Sequence, residues 1–148
     1  MLRRRSLPLL GLLAAPALLR PALAQAPSGP PHEWLFGPWT GGIFPATDTE
    51  GPACFANVTV IFMPDIIMRA SSLEMTFRQR AIETVALTAD GVEIRLLPVG
   101  PQGRGIPEIG FGCNNNPDLL RVARRGPDEI AFTGCIEFPS TLKRCRTR

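Results

Sequence analysis

Four cysteines and a single histidine are the residues of this 148-residue chain with the clearest chemical potential. The cysteines are Cys54, Cys113, Cys135 and Cys145. They form no C-x-x-C pair, and only His32 could join them as a ligand, so neither a zinc site nor a thioredoxin-type redox site is expected. Structural disulfides are the favoured interpretation. Of the three possible pairings, we favour Cys135 with Cys145, which closes a short loop, and Cys54 with Cys113.

A catalytic Ser or Cys needs a base beside it, and the chain offers only His32. That histidine lies in residues 25–32, which hold three prolines and are typical of a flexible leader without a scaffold for the imidazole. The carboxylates that could form an acid-base pair lie on the polar phase of alternating segments, where a solvated role is expected: Glu74, Glu83, Glu93 and Glu137. The pattern predicts a protein that is not an enzyme.

Two polar loops suggest ligand binding but are better explained as turns. Gly100-x-x-Gly103-x-Gly105 lacks the following helix and Lys-Ser/Thr of a phosphate loop. Asn114 to Asn116 with Asp118 offers a calcium ion only one carboxylate, and Asn-Pro-Asp is ordinary turn chemistry. We therefore expect no cofactor and no metal site.

Residues 1–24 have the three parts of an export signal. Three arginines at residues 3–5 precede an apolar run at residues 7–19, and Ala22-Leu23-Ala24 supplies the small-x-small cleavage pattern. At about 1.5 Å per residue the apolar run spans roughly 20 Å, too short for the roughly 30 Å hydrocarbon core. Arg4-Arg5-Ser6-Leu7 also resembles the twin-arginine motif, so both this route and the general secretory route stay open. We expect a periplasmic or secreted bacterial protein with oxidised cysteines.

Removal of the signal changes the charge of the chain. Four of the 16 basic residues lie in residues 1–24, which leaves 12 against all 13 acidic residues. The positive charge of the precursor is therefore no argument for a nucleic-acid partner. The last six residues, KRCRTR, carry four positive charges; a solvated basic tail is the favoured interpretation, and a docking strip for an acidic partner is the alternative.

The mature chain is long enough for one domain, which we place at residues 33–148. Alternation of apolar and polar residues predicts strands at 58–62, 66–69, 92–96, 120–123 and 129–133. Ala89-Asp90-Gly91 and Arg125-Gly126-Pro127-Asp128 are typical hairpin turns. The 16 prolines and 14 glycines of the whole chain also fit such segments better than a helical bundle, so the sequence predicts an all-β fold. We expect a small antiparallel β-barrel or sandwich of about 7 to 8 strands, cross-linked by disulfides.

Residues 71–87 allow two interpretations. Ser71-x-x-Glu74 is a capping box, and Leu73, Phe77 and Ala81 have helical spacing. Against a helix, most apolar residues of the segment fall on odd positions, and the segment leads directly into the Asp90-Gly91 turn. We predict a strand with a bulge near residues 79–82, where the alternation slips.

Gly37-Pro38-Trp39 at the first strand resembles the G-x-W signature of lipocalin-like small β-barrels. The resemblance implies a barrel closed around Trp39, with a basic residue near the final strand, Arg144 or Arg146, packed over the indole. A longer second signature of that family is absent. The alternative is that Trp34 and Trp39 are ordinary core aromatics.

The resemblance also implies an open end that takes a small apolar ligand. An interior filled by Met63, Met68, Met75, Phe77 and Phe132 would argue against such carriage. Periplasmic inhibitors of secreted metalloproteases are similar in size, begin with G-x-W and carry a cysteine soon after it, here Cys54. They place an extended N-terminal segment in the protease cleft, here residues 25–33.

Together these observations predict an exported, non-catalytic β-barrel that binds another molecule. Its partner would be a small apolar ligand or an envelope protein, and nucleic acid and a membrane-spanning segment of the mature chain are not expected. The alternative is a periplasmic protease inhibitor with an extended N-terminal segment.

Overall fold

The computed structural model describes residues 29–71, 78–99, 113 and 116–146. The expected export signal lies outside these residues. The strands are β1 (Gly37–Gly41), β2 (Thr59–Phe62), β3 (Ile66–Ala70), β4 (Arg78–Leu87), β5 (Gly91–Leu96), β6 (Leu119–Gly126), β7 (Glu129–Phe132) and β8 (Leu142–Arg144). Short 3-10 helices, Glu33–Leu35 and Gly51–Ala56, precede β1 and β2. None of the described helices has the length and apolar character that a membrane span requires.

The eight strands form one closed antiparallel barrel. Each strand pairs with its neighbours in sequence, and β8 pairs with β1 through Trp39 opposite Arg144 and Gly41 opposite Leu142. The predicted all-β fold is confirmed, and the β1–β8 pairing makes it a barrel rather than a sandwich. Closure gives every strand two hydrogen-bonded neighbours, so the sheet has no open edge.

The alternating segments form strands as predicted. In β5 the side chains of Val92, Ile94 and Leu96 are buried while Arg95 between them is exposed. This is the period-two pattern of a strand with one face toward a core. The predicted turns at Asp90-Gly91 and Gly126-Pro127 connect β4 to β5 and β6 to β7.

The contested segment is a strand over its described part, β4, so the helical alternative is wrong there. Residues 72–77, including most of the capping box, lie outside the described residues. The pairing of β4 with β5 shifts register between Ile82 and Thr84. The bulge therefore lies at Glu83, directly after the window in which the sequence predicts it.

The two ends of the barrel differ in their connections. At one end, which we call the closed end, short turns join β2 to β3, β4 to β5 and β6 to β7, and the first 3-10 helix leads into β1. At the other, the loop end, longer connections follow β1, β3, β5 and β7. Tight hairpin turns therefore position the side chains of the closed end, whereas cross-links between the longer connections position those of the loop end.

Apolar side chains fill the interior between the two ends. A single buried cluster runs through the barrel and includes Trp39, Phe62, Ile94, Leu120 and Leu142. Toward the loop end, the ring of Phe132 packs edge-on against two neighbours, with centroids 6.3 Å from Phe62 and 4.8 Å from Phe138. Contacts of this kind are typical of a packed apolar core.

The interior residues named from the sequence are only partly those observed. Phe132 is 4% exposed and belongs to the core. Met63 and Met68 are half-buried, and Met68 pairs with Ile61 on the outward phase of β3. Met75 and Phe77 lie outside the described residues.

The disulfides are Cys54–Cys145 and Cys113–Cys135, so the pairing favoured from the sequence is wrong. Barrel closure explains the first bond. Because β8 lies beside β1, the chain after β8 meets the segment that precedes the second 3-10 helix, where the N–H of Arg146 donates to the carbonyl of Thr49 at 2.7 Å. The second bond joins the β5–β6 and β7–β8 connections, which meet at the loop end. A short loop in sequence was the wrong criterion, because the topology decides which cysteines are neighbours.

Candidate functional site

Trp39 anchors the closed end of the barrel. Its side chain is fully buried, and the indole Nε1 donates a hydrogen bond of 2.7 Å to the carbonyl oxygen of Leu35. Leu35 belongs to the first 3-10 helix and is itself fully buried. The indole therefore fastens that helix across the end of the barrel, as a buried polar group with its partner satisfied.

Arg144 covers the outer face of the same indole. Its guanidinium carbon lies 4.2 Å from the centroid of the Trp39 ring. Its Nη2 and Nη1 donate to the carbonyls of Trp34 at 2.6 Å and Phe36 at 2.8 Å, and Nε lies 3.6 Å from a carboxylate oxygen of Asp128. Of the two basic residues named from the sequence, Arg144 is the one that packs over the tryptophan.

The described part of the C-terminal basic segment, residues 143–146, is therefore not the free tail that its composition favours. Lys143 and Arg144 lie in β8, and Cys145 is disulfide-bonded. Arg146 is 65% exposed at its side chain and lies 3.4 Å from Asp128. Composition cannot distinguish a free tail from a short strand that closes a barrel, because both can be rich in charged residues.

Gly37 begins β1 with a backbone φ of 108°. This left-handed region favours glycine, which has no β-carbon to oppose it. A β-carbon at Gly37 would lie 3.6 Å from Nη1 of Arg144. Glycine at this position allows the chain to turn from the first 3-10 helix into β1 directly beneath the guanidinium.

His32 is held by the fold, contrary to the expectation of a mobile leader. Its side chain is 2% exposed and its ring stacks edge-on against Phe36 at 5.1 Å between centroids. Its Nε2 lies 3.4 Å from the carbonyl oxygen of Met63, and Nδ1 is buried without a hydrogen-bond partner among the described residues. Folding therefore reaches at least one residue further toward the N-terminus than proline content indicates.

A cleft of about 610 Å³ opens at the closed end, outside the barrel. The tips of the β4–β5 and β6–β7 hairpins form its walls, and Trp34 contributes an aromatic surface. Its lining residues are Trp34, Ala89, Asp90, Gly91, Arg124, Arg125, Gly126 and Pro127. A smaller cleft of about 270 Å³ shares Gly126 and Pro127 and continues to Glu129 and Lys143. The larger cleft has the volume of a small-ligand site but is open to solvent rather than enclosed.

Two consecutive arginines give the cleft its charge. Arg124 lies with its guanidinium carbon 5.0 Å from the centroid of the Trp34 ring, a cation–π arrangement. Arg125 is exposed at a register shift between Arg124 and Gly126 in the β6–β7 pairing. Because a bulge places two neighbours on one side of the ladder, consecutive residues line the same cleft.

Backbone contacts fix the cleft walls. The N–H of Arg124 donates to the carbonyl oxygen of Asp90 at 2.8 Å, which links the two hairpin tips. The carboxylate of Asp90 accepts a hydrogen bond of 3.2 Å from the hydroxyl of Thr88. The cleft thus presents one carboxylate against two guanidinium groups.

At the loop end, Arg69 points toward the core and is 6% exposed. Its Nη1 donates to the carboxylate of Glu137 at 2.7 Å, and its guanidinium carbon lies 5.1 Å from the ring centroid of Phe138. Its Nε is buried without a hydrogen-bond partner among the described residues. The pair connects β3 to the β7–β8 connection.

Arg80 is the second buried cation of the loop end, at 3% exposure. It donates to the carbonyls of Leu97 at 2.8 Å and Pro117 at 3.0 Å and to the carboxylate of Asp118 at 2.5 Å. The backbone N–H of Asp118 donates to the side-chain oxygen of Asn116 at 2.9 Å. Asn116 and Asp118 thus form the turn that their sequence favours, and Asn114 and Asn115 lie outside the described residues.

The described glutamates named from the sequence are separate from one another. Glu83 is exposed at the β4 bulge, Glu93 pairs with Arg121 at 2.7 Å, and Glu137 pairs with Arg69. Glu74 and the glycine-rich loop at residues 100–105 lie outside the described residues. No group of three or more metal-binding side chains occurs in the ranges that the structure describes.

Sequence reasoning placed Gly37 and Trp39 at the closed end but missed the cleft. Arg124 was outside the alternating core positions, and Arg125-Gly126-Pro127-Asp128 indicated only a turn. The missed signal is the pair of arginines directly before a Gly-Pro turn, whose meaning depends on the neighbouring hairpin. No protein-family model, curated protein or solved structure matches the chain.

Proposed function

We propose that this chain is an exported β-barrel that acts by binding another molecule at the cleft of its closed end. The observation that carries the proposal is the contrast between the buried apolar cluster inside the barrel and the open cleft outside it. Buried side chains occupy the barrel, whereas the cleft offers about 610 Å³ beside Trp34. A small apolar ligand inside the barrel is correspondingly disfavoured as the partner.

Two further observations support the proposal. The disulfides suit an oxidising compartment outside the cytosol. The Trp39–Arg144 arrangement is what a lipocalin-like barrel would have at its closed end, so that kinship remains part of the proposal. A non-catalytic role is supported by His32, whose ring packs against Phe36, and by carboxylates that are exposed or paired with arginine.

Amide NMR of the chain from residue 25, with both disulfides formed, tests the site. A library of small acidic, basic and neutral aromatic compounds is titrated into the protein. We expect the shift changes to centre on Gly91 and Gly126, which line the cleft. Changes centred on Ile94 and Leu120 in the interior, or no changes with any compound, would contradict the proposal.

A second candidate function, protease inhibition, is favoured by the burial of His32. Because that ring is fixed between Phe36 and Met63, the chain before it leaves the barrel from a defined point. An extended segment whose base is already fixed loses less conformational entropy on entering a protease cleft than a segment that is free at both ends.

Deletion of residues 25–31 tests this candidate, and it stops before His32 because His32 belongs to the core. The full chain should inhibit a secreted metalloprotease and the shortened chain should not. A shortened chain with the melting temperature of the full chain and equal inhibition would eliminate this candidate.

A further inference from the structure

We propose that the closed-end cleft recognises a carboxylate-bearing ligand, with the acidic group held by Arg124 and Arg125 beside the Trp34 ring. This inference rests on the proposed function and adds the chemical class of the ligand. It concerns a site outside the barrel and is independent of the lipocalin-like resemblance.

The charges of the cleft carry the argument. Five of the nine arginines in the described ranges have a carboxylate partner within 4 Å that the structure shows: Arg69, Arg80, Arg121, Arg144 and Arg146. Arg124 and Arg125 form no such ion pair among the described residues, although Asp90 lines the same cleft. Two guanidinium groups against one carboxylate leave a net positive charge for an anion to neutralise.

The position of Arg124 suits recognition of a planar acid. Its guanidinium is held over the Trp34 ring at 5.0 Å, so fewer rotamers are lost when the fork of donors binds a carboxylate. Trp34 is half-buried and offers an apolar surface to the part of the ligand next to the acid. The methylene groups next to an acid, such as those of glutarate or a glutamate side chain, can lie on this surface while the carboxylate meets the guanidinium.

An exposed apolar residue lies on the same hairpin as one wall of the cleft. Leu87 is 71% exposed and shares a face of β4 with Val85, which packs against the core. It lies at the end of β4, beside the turn that walls the cleft. An isolated exposed leucine is common, but this one is on the hairpin that contributes Ala89, Asp90 and Gly91. A peptide that reaches beyond the cleft could cover it.

Either an acidic peptide or a free small dicarboxylate could provide this chemistry, and the experiment separates the two sources. The probes are capped hexaglutamate, glutarate and capped hexalysine. Emission of Trp34 reports binding, because Trp39 is fully buried, and Trp34→Phe removes the reporter. Calorimetry on the same samples measures affinity without it.

We expect hexaglutamate or glutarate to bind and hexalysine not to bind. Tighter binding of hexaglutamate identifies a peptide as the source, and equal or tighter binding of glutarate identifies a free dicarboxylate. The double variant Arg124→Gln with Arg125→Gln should weaken binding about tenfold, as expected when charged hydrogen bonds are lost. Higher salt should weaken it too.

Arg95→Gln is the matched control. It removes the same charge from an exposed residue of β5 that pairs with Leu119, toward the loop end, and should leave affinity unchanged. The proposal is wrong if hexalysine binds as tightly as hexaglutamate, if the double variant keeps full affinity, or if neither acid binds. Neutral compounds that shift Gly91 and Gly126 while both acids fail would overturn this inference and leave the proposed function standing.

Discussion

Arg144 holds together three parts of the closed end: the first 3-10 helix, β1 and the indole beneath them. Arg144→Met keeps the aliphatic length but leaves the carbonyls of Trp34 and Phe36 without their donor. We expect a loss of about 1.5 to 3 kcal/mol in the free energy of unfolding, the range for hydrogen bonds to charged groups. Urea denaturation measures it.

Arg146→Met is the control for that experiment. Arg146 is two residues further along, 65% exposed at its side chain, and pairs with the same Asp128. Exposed ion pairs contribute at most about 1 kcal/mol, so this variant should unfold close to the parent. Equal losses from the two substitutions would mean that the contacts of Arg144 with the backbone do not stabilise the closed end.

Arg80 makes the corresponding contribution at the loop end. Its guanidinium is buried against two carbonyls and Asp118, and Arg80→Met leaves all three acceptors unpaired. We expect a loss of about 3 kcal/mol, at the low end of the range for breaking a buried pair, because the Asp118 side chain is 32% exposed. Arg121→Met removes an arginine that is 47% exposed and bound to Glu93, and should cost less than about 1 kcal/mol. Thermal unfolding of both variants would contradict the assignment if Arg121→Met were the more damaging change.

At the scale of the elements, Gly91 serves both the β4–β5 turn and the packing of β5 against β6. A β-carbon at Gly91 would overlap the backbone carbonyl oxygen of Val122 on β6. Gly91→Ala should therefore push β5 from β6 and destabilise the barrel by about 1 to 3 kcal/mol, the usual cost of overpacking. Calorimetric melting measures the loss.

Gly126, at the turn of the neighbouring hairpin, is the matched position. A β-carbon there would lie 3.7 Å from the β-carbon of Glu129, an ordinary contact. Gly126→Ala should be neutral or slightly stabilising, because alanine restricts the unfolded chain. A melting temperature that falls equally in both variants would show that close approach to β6 is not the reason for glycine at position 91.

The strands themselves follow from local patterns, and their partners do not. Alternation in β5 and the Asp90-Gly91 turn are properties of a few adjacent residues, so sequence reasoning finds them. The predicted window for the β4 bulge, residues 79–82, ends one residue before the observed bulge at Glu83. A slip in the alternation indicates that the strand has an extra residue but does not show which residue it is. The cleft required knowledge that two hairpins lie side by side, which no local pattern contains.

For the whole molecule, closure of the barrel is the step that sequence reasoning could not supply. It places β8 beside β1, and with it Arg144 over Trp39 and Cys145 beside Cys54. The resemblance to lipocalin-like barrels suggested the first contact but not the second. The short loop between Cys135 and Cys145 favours pairing those two cysteines, whereas the barrel brings Cys145 to Cys54, 91 positions away.

The two disulfides should stabilise the barrel to different extents. Their sequence separations are 91 for Cys54–Cys145 and 22 for Cys113–Cys135. In the chain-entropy model, the bond that closes the longer loop stabilises the folded protein by about 4.6 kcal/mol, and the bond that closes the shorter loop does so by about 3.4 kcal/mol. Replacing Cys54 and Cys145 by alanine should therefore lower the free energy of unfolding by about 1 kcal/mol more than replacing the other pair.

Non-reducing peptide mapping and urea unfolding check this prediction together. Mapping should recover peptides that join Cys54 to Cys145 and Cys113 to Cys135, and the first double variant should have the lower urea midpoint. Peptides that join Cys135 to Cys145 would show that the loop end, not the β1–β8 seam, receives the C-terminal cross-link. A lower midpoint for the Cys113 and Cys135 variant would instead show that fastening the two loop-end connections stabilises the fold more than constraining the longer loop, because the unfolded chain is not the only state that a disulfide restricts.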